Sequence, residues 1–528
     1  MADGNMTVDG KAGRREWIGL AVLAFPCFLL SMDFTVLHLA VPKLTADLSP
    51  SSTQLLWIVD IYGFLIASSL ITMGTLGDRI GRRKLLLIGA AAFGAASAVA
   101  AFADTASTLI ASRGLLGIAG ATLMPSTMAL IRNMFHDETQ RRIAIAMWIN
   151  AFIVGGAIGP VLGGVMLEHF WWGSVFLLNV PVMALLLVLG PILLPEFRDP
   201  NPGRLDIASA ALSLSAMLLV IYGIKRIAQD GPGSVQFLAI AAGLAIAVLF
   251  VMRQRRLEHP LIDLQLFSLP PFSASVVSQL VATVTFGGLY LLVSQYFQLV
   301  VGLSPLRAGM ALLPATVVGI VGTFVAPALV KRYPAAYVMP AGMLFTTVGM
   351  IALTQLNETS GLTIPVAAYM IMSFGINIAM TLTTDMIMTA APPERAGSAS
   401  GISETSAELG AALGVAILGS ISTAFYRRSL DDSIPAGLSQ DAAANALATI
   451  GGAVNTGAQI GGASGAELVQ SARSAFAGSL AFVAIVCTLL VAATAISVFL
   501  VLRRSHLASG IQPVADLHQE NVVRTGVD

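Results

Sequence analysis

The stretch "GTLGDRIGRRKLLL", Gly74–Leu87, decides how this chain is read. It separates two long apolar runs and gathers Gly74, Gly77, Asp78, Arg79, Gly81, Arg82 and Arg83 within a short segment. The glycines let neighbouring helices approach closely. Asp78 can meet the positive N-terminal end of an adjacent helix, and the arginines can pair across a gate on the side where the loop lies. The plainer reading is a positive loop that only sets topology, but the Gly, Asp and Arg spacing is more specific than topology requires.

Everything around that stretch is apolar. Of 528 residues, 56% are hydrophobic and 11% charged, against roughly 25% charged in an average soluble domain. The mean hydropathy is +0.81, which marks an integral membrane protein embedded in a lipid bilayer. Lys+Arg and Asp+Glu are balanced at 29 each, so nothing in the net charge argues for a nucleic-acid partner. Cys27 and Cys487 both lie inside apolar runs, far apart. They form neither a disulfide framework nor a metal-ligand spacing and are read as packing residues; no cofactor and no metal are expected.

Runs near the ~20 residues needed to cross the hydrocarbon core fall at about 17–41, 54–74, 85–103, 107–132, 142–167, 173–194, 205–224, 235–252, 271–300, 306–330, 337–356, 361–390, 399–425 and 476–502. Their lack of strand alternation predicts fourteen helices, because lipid offers backbone groups no partners outside the segment. The first run is too long for the apolar region of a cleaved signal and is read as a retained span. With fourteen spans, 21 Lys and Arg fall on the side of the termini and 7 on the other, with Arg113 inside a span. That bias predicts both termini in the cytoplasm. Lys225 and Arg226 count among the seven outside. The long segment 426–475, rich in Ala, Gly and Ser, is read as an external cap, mobile or partly helical.

A second motif, "GGAIGPVLGG" at Gly155–Gly164, sets Gly155, Gly159 and Gly163 four residues apart, with Gly164 beside them and Pro160 between. This spacing makes a small-residue stripe on one helix face, and the proline invites a bend. Tight packing alone explains it; a close, bent contact that seals one side also does.

Taken together these residues resemble the major facilitator superfamily. Gly74-x-x-Gly77-Asp78-Arg79-x-Gly81-Arg82-Arg83 looks like its signature loop, and "LIASRGLLGIAGA" (Leu109–Ala121) is similar to its fourth-helix motif, with Arg113 and Gly117 in place. Gly155–Gly164 resembles the fifth-helix motif of its proton-coupled antiporters. "MDFTVLHLAVP" and "PPERAGSASGISETSAELGAALGVAILGS" look like the first and thirteenth helices of its fourteen-span drug:proton antiporters, which export quaternary ammonium compounds and other lipophilic cations. Three departures stand out. His38 replaces a common asparagine, Gly173 stands where an arginine is often seen, and "ATVVGIVGTFVAPALV" in span ten carries no acid, which bears on divalent cations.

The resemblance implies an all-α major facilitator fold. Residues 1–16 would be a cytoplasmic N-terminus, 17–194 a six-helix bundle, and 205–252 two inserted transmembrane helices. Residues 271–502 would be a second six-helix bundle with its external loop at 426–475, and 503–528 a cytoplasmic tail. It also implies a monomer in the inner (plasma) membrane, working by alternating access on small organic cations and protons.

Five acids fall inside predicted spans: Asp33, Asp60, Asp385, Glu404 and Glu408. Carboxylates in a bilayer interior are costly and default to functional candidates. At 1.5 Å per residue, Asp33, Asp60 and Arg113 lie at similar depth in the outer half, so Arg113 is expected to pair with one or both acids. That arrangement serves either proton and cation binding or a permanent salt bridge. Glu404 and Glu408, four residues apart, share one face of span thirteen. Asp385 either joins them or pairs with Arg395. Aromatic candidates to stack on a cation are Phe34, Tyr62, Trp148, Phe286, Tyr290 and Phe374. His38, five residues beyond Asp33, lies about 140° around the helix and is not expected on its face.

Enzyme readings fail, because no nucleotide loop, zinc-protease or nucleophile-elbow motif occurs. Proton-coupled antiport of lipophilic cations is therefore expected. The alternative is a major facilitator exporter or symporter of a specific endogenous metabolite, anionic or neutral; an anion would call for more intramembrane cations than Arg113.

Overall fold

The computed structural model describes residues 12–198, 206–257, 260, 262–358, 360–391, 396–434 and 438–508. The chain forms α1 (Arg14–Leu48), α2 (Ser52–Ile80), α3 (Arg82–Ala101), α4 (Ala106–Met134), α5 (Glu138–His169), the single turn α6 (Ser174–Leu177) and α7 (Asn179–Leu193). Then come α8 (Ile207–Asp230), α9 (Ser234–Gln254), α10 (Pro270–Gln295), α11 (Pro305–Val330), α12 (Ala335–Leu353), α13 (Thr363–Ala390) and α14 (Ala396–Asp431). Two short helices, α15 (Gln440–Ala448) and α16 (Ile450–Ile460), precede α17 (Gly462–Ala508). Among the described residues, thirteen helices or helix pairs are long and apolar enough to cross a membrane, and the bent α5 makes fourteen. The fold is all-α, as expected.

Polar side chains set the helix starts. Ser51, Thr105, Asp137, Ser304 and Thr449 each accept a backbone N–H in the first turn of the helix that follows, filling donors that a helix leaves open. Within α5 the axis turns by 41° between Gly156 and Ile158. Pro160 is the cause, since it lacks the amide that the Gly156 carbonyl would otherwise accept.

In one group α1 packs on α4, α5 and α7, α2 on α4, and α3 on α4 and α7; in the other α10 packs on α13, α14 and α17, α12 on α13 and α17, and α11 on α13. The groups meet along α2–α14 and α5–α11, while α8 and α9 pair with each other and α8 lies against both α2 and α14. An even number of crossings puts the start of α1 and the end of α17 on one side, here the terminal face; the opposite side is the far face.

The segment read as an external cap is helical where described. The Tyr426 hydroxyl donates to the Ala446 carbonyl at 3.0 Å, and the Ser52 hydroxyl donates to the Ala448 carbonyl. Gly457 of α16 and Gly465 of α17 face each other so closely that a Cβ on Gly465 would sit 2.3 Å from the Gly457 carbonyl oxygen. The Ala and Gly content that suggested a mobile or partly helical cap is what lets these helices touch.

Candidate functional site

Among the described residues, two ion pairs are buried in the membrane-spanning part. Arg113 Nη1 lies 2.5 Å from Asp33 Oδ2, with side-chain exposures of 1% and 5%. The guanidinium also donates to the Ile58 and Val59 carbonyls at 3.2 and 3.5 Å and sits 4.4 Å from the centre of the Tyr62 ring. One arginine on α4 thus ties α1 to α2.

Asp60 does not share that arginine as an ion-pair partner. Its partner is Lys225 of α8, whose Nζ stands 2.9 Å from Oδ1 and 2.8 Å from Oδ2, with neither side chain exposed. The lysine lies 3.7 Å from the centre of the Trp57 ring. The expectation that Lys225 lies outside is corrected: α8 runs on to Asp230 and ends at the Gly231-Pro232-Gly233 turn. Hydropathy alone truncated the helix at the lysine, because a charge ends an apolar run unless its partner is known.

Glu404 and Glu408 share the continuous helix α14 and are half-buried. Among the described residues neither has a cation within ion-pair distance. Both glutamates lie on the helix that meets α2 along the seam between the groups. Across from α14, Cys27 lies beside Thr127, which accepts a hydrogen bond from Trp148 Nε1 at 3.1 Å. Asp385 is exposed near the terminal end of α13 and forms no ion pair among the described residues; Arg395, its expected alternative partner, lies outside them.

Of the aromatic candidates, Tyr62 stacks on Arg113, Phe286 and Tyr290 lie 5.9 Å apart, and Phe374 packs edge-on to Phe345 at 5.6 Å. The side chain of Phe34 lies outside the described residues. His38 meets Tyr290 of α10 edge-on at 5.2 Å, while the Ser294 hydroxyl donates to its carbonyl at 3.0 Å.

The Gly74–Leu87 loop is bound within its own helix group. Gly81 joins α2 to α3 at φ +111°, a conformation that favours glycine. Asp78 pairs at 2.5 Å with Arg82, the first residue of α3. Arg83 holds Glu196 at 3.5 Å and donates to the Leu194 carbonyl at 2.9 Å, and the Arg82 amide donates to the Phe197 carbonyl at 2.8 Å. Glu196 escaped the sequence reading because it sits in a charged linker more than a hundred residues away.

The glycine motif divides by face. A Cβ on Gly155 would meet the Phe28 carbonyl oxygen at 2.2 Å, and on Gly159 and Gly163 would meet Thr35 and Val36 of α1. Gly164 and Pro160 instead touch α11: a Cβ on Gly164 would lie 2.6 Å from Leu306 Cα, and one on Gly309 would lie 2.3 Å from the Pro160 carbonyl oxygen. These contacts, with Leu56–Gly419, Thr45–Gly451 and His38–Ser294, join the two groups in the half nearer the far face. The close glycine contacts between the groups among the described residues all fall in that half.

Known proteins agree with this architecture. The Major Facilitator Superfamily model matches residues 23–415. The chain is 43% identical over 490 residues to the multidrug efflux pump LfrA of Mycolicibacterium smegmatis, covering 93% of this chain and 97% of that one. It is 35% identical to the methyl viologen resistance protein SmvA of Salmonella typhimurium, covering 88% and 93%. It is 32% identical to the tetracenomycin C resistance and export protein of Streptomyces glaucescens, covering 77% and 76%. A bacterial homologue of the human lysosomal transporter Spinster, inward-facing and unoccupied, has a similar fold at TM-score 0.67 and 17% identity, covering 95% of this chain and all of that one.

Proposed function

Because this chain belongs to the major facilitator superfamily, we propose that it exports lipophilic cationic drugs, dyes and antiseptics from the cell in exchange for protons. It is a multi-pass membrane transporter and not an enzyme. The observation that carries the cationic reading is the charge balance of the seam. Asp33 and Asp60 are each neutralised by a buried cation, whereas Glu404 and Glu408, half-buried on the helix that meets α2, have no cationic partner among the described residues. An organic cation supplies the charge they lack. The names of the multidrug and methyl viologen relatives support the same class.

In this reading the terminal face is cytoplasmic, and the far-face contacts belong to the inward-open state. A drug reaches Glu404 and Glu408 from the cytoplasm. Asp33 is the site for which proton and drug compete, released from or returned to Arg113 as the groups rock. Protons taken up from outside reset the carrier.

Proteoliposomes given only a pH gradient, acid inside, should accumulate a fluorescent monocation, and a protonophore should abolish the accumulation. ATP-driven accumulation indifferent to the protonophore would overturn the proposal. The tetracenomycin exporter among the relatives favours a second reading, export of one endogenous metabolite. Transport restricted to a single neutral or anionic compound in the same vesicles would select it.

The loop motif gives a further expectation. Asp78→Asn or Arg82→Ala should lower transport about tenfold while leaving folded protein in the membrane, since a tenfold change needs only ~1.4 kcal/mol of bias between two conformations. Unchanged kinetics in both variants would reduce the loop to a topology signal.

A further inference from the structure

The hairpin of α8 and α9 is held to the rest of the protein by two unlike surfaces. Toward α2, Lys225 reaches both oxygens of Asp60 and lies on the Trp57 ring, all within a seam that excludes solvent from the pair. Toward α14 the contact is apolar alone: Met217, Leu218, Ile221 and Ile224 share one cluster with Ala412 and Ala416, which Trp57 and Phe64 of α2 also join, so the ion pair is what the α2 side adds. Among the described residues no hydrogen bond or ion pair crosses from α8 to α14.

The hairpin is also stiff in itself. A Cβ on Gly223 would press 2.7 Å from the Gln236 carbonyl oxygen, and one on Gly243 would press 2.8 Å from that of Ala216, so α8 and α9 touch backbone to backbone. At the terminal face Arg253 pairs with Asp206 at 2.9 Å and the Gln254 amide donates to Ser209 at 2.7 Å.

When α2 and α14 move apart or turn against each other, one of the two hairpin surfaces must give. Separating a buried ion pair leaves two charges without partner or water, whereas apolar side chains lose little when they trade one apolar neighbour for another or for lipid. Asp60 sits on the helix whose Ile58 and Val59 carbonyls Arg113 grips, and Arg113 is paired to Asp33. The lysine thus joins a chain of charges confined to the first helix group.

We propose that Lys225 is a positioning residue that keys the α8–α9 hairpin to the first bundle, so that the α8–α14 seam is the surface that slides during alternating access. The inference rests on the rocking part of the proposed function and on nothing about drug or proton. Its consequence is that α14, which carries Glu404 and Glu408, moves past a wall that stays with α2.

Spin labels test it in lipid nanodiscs through Ile88→Cys on α3, Met252→Cys on α9 and Tyr337→Cys on α12, all exposed positions toward the terminal face; Cys27 and Cys487 are buried. Distances are measured with the far face free and with it locked by a Leu56→Cys/Gly419→Cys disulfide. The pair 88–337 reports the rocking. The pair 252–88 should stay narrow and unchanged, while 252–337 should shift and broaden as much as 88–337.

Lys225→Met should broaden 252–88 at least about twofold, and the exchange Asp60→Lys/Lys225→Asp should narrow it again. Asp60→Asn/Lys225→Met, which strands no charge, serves if the single variant fails to fold, and it should broaden 252–88 as well. A 252–88 pair as broad as 252–337, a neutral variant that keeps the narrow distance, or an 88–337 pair that never moves would each overturn the proposal. Failed drug transport with the distance pattern intact would count against the proposed substrate and leave the keying in place.

Discussion

Asp33→Asn should abolish transport of every cation, monovalent and divalent, by at least about 100-fold at matched expression. The carboxylate is the only counter-charge paired with Arg113 among the described residues, at 2.5 Å and 5% exposure. Losing one partner of a buried pair costs about 3–5 kcal/mol, and 1.4 kcal/mol is already tenfold. Such a loss alone would not separate a coupling role from a permanent brace, because both predict damage.

The double variant Asp33→Asn/Arg113→Gln separates them. It removes both charges, so a chain that needed only the brace should recover folding and transport together. If protonation of Asp33 is part of the cycle, folded protein returns and transport stays lost. Recovery of pH-driven uptake in the double variant would assign Asp33 to structure and move the coupling to Glu404 or Glu408.

Gly309→Val and Gly164→Val should hold the far face open. Each glycine meets backbone in the other helix group, the Pro160 carbonyl oxygen for Gly309 and Leu306 Cα for Gly164, at distances no Cβ can share. Overpacking of this kind costs about 1–3 kcal/mol, and here it falls only on the closed far face, so that state loses roughly 5–150-fold in population. Transport should fall in proportion. A reporter cysteine at Ser294→Cys, in the buried contact with His38, should become more reactive to an impermeant thiol reagent from outside. Unchanged reactivity together with normal transport would mean that α5 and α11 do not form the seal.

Gly155, Gly159 and Gly163 carry a different expectation. They abut α1 within one helix group, so enlarging them should reduce folded protein and not shift the open and closed populations. One motif in the sequence thus holds two functions, distinguished only by which helix lies against each residue.

Membrane residence, the all-α class, a set of thirteen to fourteen crossings and the acids were legible in the sequence. Each depends on a quantity carried by the local segment: apolar length, absence of strand alternation, or a charge where lipid tolerates few. The i, i+4 relation of Glu404 and Glu408, and the separation of His38 from Asp33, followed from helix geometry alone. Partnership was another matter. That Arg113 chooses Asp33, that Asp60 is neutralised by Lys225, that Arg83 holds Glu196 and that Gly164 faces α11 while Gly163 faces α1 were settled by packing. A buried charge is stabilised by whatever opposite charge the fold brings within a few ångströms. That distance is set by how helices far apart in sequence lie side by side, and no local property of either residue contains it.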